Sequence, residues 1–310
     1  MKNKYIHKIY ILGLNLQWNQ TGIVFIGSSA GSAADKVRNP NCLYFDSNDT
    51  LYICDYNNHR IQKWFQGATV GITIAGSSSG NSGADSVRLQ TPEDLVFDNN
   101  GYMYVTDTQN HRVQRFYSNS TNGTTVAGIT NSASSALTNL KNPSGILIDD
   151  DLNLYILDMD NKRVLKWAPN GTNGTILISN NILDESHDLL FAIGSSDRVY
   201  ISDRNDHVIY LWQFGALSPM LNLSRVNDTS SKLKQPRGLA FDPYGNLYVA
   251  DAQNNRIIRY CVNSTDGNVV IGLGPNPSRP DNPMAVAFDS NLNLYIASRD
   301  DDRIIKYFRI

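Results

Sequence analysis

Six stretches of the chain repeat one pattern: an apolar run holding a tyrosine, an aspartate, a polar turn rich in asparagine, an arginine and a second apolar run. They read LYICDYNNHRIQKW (51–64), MYVTDTQNHRVQRF (103–116), LYILDMDNKRVLKW (154–167), VYISDRNDHVIYLW (199–212), LYVADAQNNRIIRY (247–260) and LYIASRDDDRIIKY (294–307). Their tyrosines, Tyr52, Tyr104, Tyr155, Tyr200, Tyr248 and Tyr295, lie about 45 to 52 residues apart, a period that marks a repeat architecture.

Ahead of each tyrosine comes another apolar run. It opens at Pro40, Pro92, Pro143, Pro236 or Pro283, and unit four carries Asp188 at that distance. The run closes at Asp46, Asp98, Asp149, Asp242 or Asp289, with Gly194 in unit four. A fourth run follows in most units, as in GITIAG (71–76) and NVVIG (268–272). Each unit therefore reads as four short strands, a to d, split by turn residues, with no sustained helical period. Several strands are apolar on both faces, as expected of a sheet packed between two others. The fold class is all-β: a six-bladed β-propeller of four-stranded blades.

Unit six ends at RIIKYFRI without a fourth strand, while TGIVFIG (21–27) precedes the first unit as a spare one. The sequence thus predicts a ring closed by the N-terminal strand completing the last blade, which removes an open edge. The domain boundaries that follow are an extension over residues 1–20 and the propeller over 21–310. MKNKYIHKIYILGLNLQW lacks the uninterrupted apolar core and small-residue cleavage site of a secretory signal, leaving a lost true start as the alternative. No stretch approaches the length of a membrane helix. The net charge of −2 argues against nucleic acid as the partner. A monomer binding an unknown protein or small ligand is the expected state.

Asp55, Asp107, Asp158 and Asp251 end strand b, and Arg60, Arg112, Arg163 and Arg256 open strand c. Asp and Arg can meet across the b–c turn or bridge to the next blade, as a charge-assisted pair. Recurrence in nearly every unit makes the pair scaffold, because an active site needs asymmetry.

DYNNHRIQKW and DTQNHRVQRF resemble the signature of the NHL-repeat propellers, and the resemblance runs over residues 21–310. It implies the six-bladed fold but says much less about activity, because such propellers include protein-interaction modules, RNA-binding modules, receptor sensors and an amidating lyase. Val208 in unit four and Ser298 in unit six depart from the pattern, and each removes the turn pair.

Three chemistries have candidate residues in the sequence. His59, His111 and His207 occupy equivalent turns in different blades, too far apart to share a zinc ion. The residues after the blade proline should line the mouth of the central channel: Asn41, Glu93, Ser144, Leu189, Arg237 and Met284. There Asn41, Glu93, Asp94 and Asp188 offer oxygens to a hard cation such as Ca²⁺, the site of a metal-dependent hydrolase or lyase, although Arg237 would repel the ion. No other cofactor is indicated. An RNA-binding module needs a basic face, and the d–a loops mix Lys36, Arg38, Arg88 and Lys141 with Asp35 and Asp85.

Cys42 and Cys54 fall opposite each other in the a–b hairpin, within reach of a disulfide, and Cys261 is left over. Sequons occur at Asn19, Asn48, Asn119, Asn122, Asn170, Asn173, Asn222, Asn227 and Asn263, against roughly five by chance. Most fall at the a–b and c–d end. The preferred reading is a non-catalytic, extracellular or cell-surface binding scaffold, a glycoprotein whose bare end does the work. Its binding face would hold Lys36, Arg38, Tyr56, Asn57, Arg88, Gln109, Asn110, Lys141 and Arg237.

Overall fold

In a computed structural model the protein is described over residues 16–27, 29–117, 120–227, 232–273 and 279–310. Residues 1–15 of the extension and the Asn119 sequon lie outside that range. Six sheets form a closed ring. Blade one is Pro40–Phe45, Leu51–Asp55, Arg60–Trp64 and Ile72–Gly76, in that order from the axis outwards. The innermost strands of blades two to six are Pro92–Phe97, Pro143–Ile148, Ser186–Phe191, Pro236–Phe241 and Pro283–Phe288, and each packs on its neighbours. In blade five a short parallel strand, Arg225–Val226, extends the outer edge along Asp266–Ile271.

Blade six is completed by Ile23–Ile26, which runs antiparallel to Arg303–Tyr307 with Ile23 opposite Lys306 and Val24 opposite Ile305. The segment before residue 21 also packs on the propeller. Trp18 is buried and lies 5.6 Å from the Tyr248 ring and 5.9 Å from Phe288, while its Nε1 donates to the Leu292 carbonyl at 2.9 Å. The segment from Leu16 is therefore part of the propeller wall.

The repeated residues explain themselves as packing and hydrogen bonding. Strand c ends in Trp64, Phe116, Trp167, Trp212, Tyr260 and Tyr307, all buried between blades. The strand b tyrosine is anchored at its polar tip, as a buried phenol requires. Tyr52, Tyr104, Tyr155, Tyr248 and Tyr295 each donate to the aspartate that closes strand a, at 3.0–3.2 Å.

The Asp–Arg pair closes the b–c turn. Nε of Arg60, Arg112, Arg163 and Arg256 lies 2.6–2.7 Å from its aspartate, and every one of these groups is almost wholly buried. The other aspartate oxygen accepts the backbone N–H of Arg38, Gln90, Lys141 or Lys234, just before strand a. The rest of the guanidinium holds loop carbonyls. Arg60 donates to those of Ser32, Ala33, Lys36 and Ser78. One charged pair thus fastens a turn and two d–a loops.

Blade four breaks the rule, since Val208 leaves Asp203 without an arginine. Ser186 Oγ and the Asp206 N–H each donate to it at 2.8 Å, and burial pushes the Asp203 carboxyl up to about 6. The strand register of this blade also differs from the sequence count. Ser186 pairs with Asp203 as Pro143 pairs with Asp158, because the a–b connection is longer. Ser186, not Asp188, takes the proline's place, and His187, not Leu189, follows it.

Two outcomes check this account. Removing residues 1–27 takes away the buried Trp18 and Ile26 and should cost more than the roughly 3–5 kcal/mol of one deleted core aromatic. A truncated chain that melts as sharply and as high as the full one would contradict closure by this strand. Asp107→Ala strands the Arg112 charge and should destabilise the fold by about 3–5 kcal/mol in denaturant titration, far more than Asp85→Ala at an exposed pair.

Candidate ligand site at the channel mouth

Strand a starts with a register shift in every blade: Pro92 is opposite Asp107, but Leu95 is opposite Val105. The two residues after the strand's first in blades one to five, and Met284 alone in blade six, are thereby released from regular pairing at the inner rim. The first of them forms a ring of Asn41, Glu93, Ser144, His187, Arg237 and Met284. The residue after the strand b aspartate, at the start of the b–c turn, forms a second: Tyr56, Thr108, Met159, Arg204, Ala252 and Arg299.

These groups act on one another electrostatically across the axis. Glu93 of blade two feels Arg237, Arg299 and Arg204, which belong to blades five, six and four. Burial is the main cause of its altered acidity, and its carboxyl is raised to about 7 against the pull of the three guanidinium groups. His187 is held well below its ordinary value, first by burial and then by Arg237, Arg204 and Arg299, so it is neutral at pH 7. Burial and the other two arginines lower Arg237 to about 10, which leaves it charged. Arg299 lies 5.8 Å from the Tyr56 ring, and Arg204 Nε lies 3.4 Å from Glu185.

Several of these groups lack hydrogen-bond partners among the described residues. They are both ring nitrogens of His187, Nε of Arg237, Nδ2 of Asn41 and one oxygen of Glu93. His187, Arg237 and Asn41 are 8%, 7% and 4% exposed. A buried polar group without a partner carries a desolvation cost, which a ligand or water at that place relieves.

Asp94 and Asp188 do something else. Asp94 accepts the N–H of Leu95 at 2.8 Å and of Ile146 in blade three at 2.9 Å. Asp188 accepts those of Leu189 at 2.7 Å and of Leu239 in blade five at 2.8 Å. Each carboxylate joins one inner strand to the next, where Gly145 or Gly238 stands at the matching position. A Cβ on Gly238 would come within 2.6 Å of the Met284 carbonyl oxygen, so the close approach of blades five and six needs glycine there. The proposed set of Asn41, Glu93, Asp94 and Asp188 fits a hard cation badly: two carboxylates are turned to backbone N–H groups, and Glu93 sits among three guanidinium groups.

The three turn histidines also have a structural task. His59, at φ 54°, accepts through Nδ1 the N–H of Thr91 in the next blade at 3.1 Å. His111 does the same for Asn142 at 3.2 Å, and His207 Nδ1 sits between the Gln235 nitrogen at 3.2 Å and the Arg204 carbonyl oxygen at 2.8 Å. Asn255 and Asp302 fill the role with side-chain oxygens. The receiving residues, among them Thr91 and Gln235, have φ near 50°, a costly conformation for a residue with a Cβ. Each clasp holds that conformation in place and locks one blade to the next.

The remaining face residues are scattered around the rim. Arg38 and Asn57 line one shallow hollow, with Asn57 donating to Asn39. Arg88 is exposed and paired with Asp85 at 2.8 Å, and Lys141 lies 3.8 Å from Asp160. Lys36 donates to Ser29, and the exposed Gln109 accepts from Gln90. Two expectations need correction. Asn110 is wholly buried, its amide donating to Asp107 and the Gly83 carbonyl, because this turn position serves the Asp–Arg clasp. Arg237 is a buried mouth residue and not an exposed rim charge.

Sequence reading missed His187, Arg204 and Arg299. The signal for His187 was present: SHDLLF (186–191) aligns with PEDLVF (92–97) without a gap. Counting back from the tyrosine obscured it, since the a–b connection of blade four is longer. The arginines follow from applying the second ring position to every blade.

The mouth chemistry predicts a titration. The folded Glu93 carboxyl lies above its ordinary 4.5, so the stability linked to it is complete below that value and is lost as pH rises through about 7. Glu93→Gln should flatten the dependence of stability on pH across this window and stabilise the protein above it. Arg237→Gln should move the Glu93 titration, followed by carboxyl carbon NMR, further up. An unchanged Glu93 midpoint in Arg237→Gln would contradict the cross-axis interaction.

The NHL repeat model matches residues 37–64, 89–116 and 233–260, the first three strands of blades one, two and five. No curated protein matches the chain. Among solved structures, an auxiliary nutrient binding protein from Bacteroides ovatus superposes with a TM-score of 0.70 at 14% identity, over 95% of this chain and 78% of that one. A gluconolactonase from Xanthomonas campestris gives 0.65 at 11% identity, over 95% and 97%. A catalytically inactive virginiamycin B lyase from Staphylococcus aureus gives 0.60 at 12% identity, over 94% and 88%. At these identities the likeness is one of fold, and together with the closed ring of blades it makes the chain a six-bladed β-propeller in which blades one, two and five match the NHL repeat.

Proposed function

We propose that this propeller is a non-catalytic binding module whose ligand enters at the b–c and d–a end, with the channel mouth as binding centre. The observation that carries the reading is the gathering of unpartnered, buried polar groups at that one place. Elsewhere the blades repeat one another. At the mouth every blade contributes a different residue, which is the asymmetry that recognition of one ligand needs.

Three features support a place outside the cytoplasm. Cys42 and Cys54 are joined as a disulfide, with their Cα atoms 4.9 Å apart, a bond favoured in oxidising compartments. Asn19, Asn48, Asn122, Asn170, Asn173, Asn222, Asn227 and Asn263 are exposed and so sterically open to glycosylation. The similar fold from Bacteroides ovatus is described as nutrient binding. The metal-dependent hydrolase or lyase reading loses ground because the donor set suits a cation badly. The RNA reading loses ground because Arg88 and Lys141 sit beside acidic neighbours on the rim.

A small-molecule library screened by thermal shift tests this reading. Compounds that stabilise the full chain should fail to stabilise Arg237→Gln/Arg299→Gln and should still stabilise Asn122→Trp at the opposite end. Hits that survive the mouth substitutions and vanish with Asn122→Trp would assign binding to the other face.

A further inference from the structure

We propose that the mouth is an oxyanion site in which Arg204, Arg237 and Arg299 together hold a small molecule carrying at least two negative charges as carboxylate, sulfate or phosphate groups. This rests on the reading of the mouth as the binding centre and specifies what binds there.

The argument starts from a contrast within the molecule. Arg60 is 1% exposed and meets Asp55 and four backbone carbonyls, so its charge and its donors are satisfied. Arg237 is 7% exposed, and its Nε has no acceptor among the described residues. Two further guanidinium groups, from Arg204 and Arg299, act on it and lower its proton affinity. Three like charges converge on one axis, against Glu93 within the mouth and Glu185 at Arg204. Such an arrangement is repulsive in the folded protein and becomes favourable when an anion fills it. Guanidinium groups suit oxyanions in particular, because their planar donors match two oxygens at once.

The surroundings narrow the class further. His187 is neutral, so one ring nitrogen donates and the other accepts, and neither has a protein partner among the described residues. The unpartnered Nδ2 of Asn41 is a second neutral donor. These groups suit the hydroxyl or carbonyl oxygens of a compact organic acid. Arg237, His187 and Asn41 lie too deep for the face of a macromolecule to reach, which leaves a small ligand. Glu93 opposes anion binding when ionised, and the groups acting on its charge are Arg237, Arg299, Asp94 and Arg204, with Tyr56 beside it. Anion affinity should therefore rise as pH falls through the range where Glu93 gains its proton.

Calorimetric titration of the full chain tests the proposal with citrate, inorganic sulfate and inorganic phosphate as separate probes, and glucose and spermidine as neutral and cationic ones. At least one anion should bind. Arg237→Gln and Arg299→Gln should each weaken it by about ten- to a hundred-fold, the effect of removing one charge-assisted contact. Arg198→Gln, at the far end, should leave it unchanged. Sulfate, which does not titrate near neutrality, should bind more tightly at low pH in the wild type, and Glu93→Gln should remove that dependence. Arg299 sits on a partly exposed turn, so Arg299→Gln carries the test if Arg237→Gln fails to fold. Absence of binding by all three anions, or equal binding to Arg299→Gln and wild type, overturns the proposal. Binding of glucose or spermidine that is lost in the arginine variants overturns the anion assignment while leaving the mouth as the binding centre.

Discussion

The buried pair between the last residue of strand b and the first of strand c is the contact on which the rest of the propeller depends. A carboxylate and a guanidinium taken out of water are costly unless every donor and acceptor is used. Here they are used, by the N–H before strand a and by carbonyls of the long loops. Each of those loops also buries an apolar residue of its own, such as Val37, Leu89 or Leu140. The pair gives them a fixed anchor, and the anchored loops in turn set where each inner strand begins. Hydrophobic packing holds the blades side by side, but the charged clasp decides the geometry of one end of the ring.

That division explains why most of the fold could be read in the sequence and the candidate site only in part. The strands, the closing segment and the Asp–Arg turns recur, and recurrence reveals register without coordinates. A repeat conceals what differs between copies. His187 is visible only when strand a of blade four is aligned on its own residues, and its neighbours Arg204 and Arg299 occupy positions that hold Thr108, Met159 and Ala252 elsewhere. No spacing rule marks a residue as facing an axis shared with a blade some hundred positions away. Asp94 and Asp188 misled for the opposite reason: carboxylates at an inner rim suggest a metal, and only the backbone N–H groups of the next blade reveal their use.

Blade-to-blade cohesion takes three forms, each local and directional. Aromatic ends of strand c fill the space between sheets. Turn side chains such as His59 and Asp302 receive the first N–H of the neighbouring blade. Asp94 and Asp188 tie inner strands in pairs, two to three and four to five. The inner ring is therefore braced where the axial groups sit, which limits how far Glu93, His187 and Arg237 can relax away from one another.

Closure by Ile23–Ile26 gives the ring a temporal order as well as a shape. The strand that leaves the ribosome early must wait for Arg303–Tyr307, which leaves it late. Until then Ile23 and Val24 have no partner, and blades one to five can form an open arc with two bare edges. Contacts so distant along the chain are slow to form and are penalised by loop entropy. Joining the two edges converts that arc into a ring in a single late event, so the chain is most exposed to edge-to-edge aggregation just before Arg303–Tyr307 is in place.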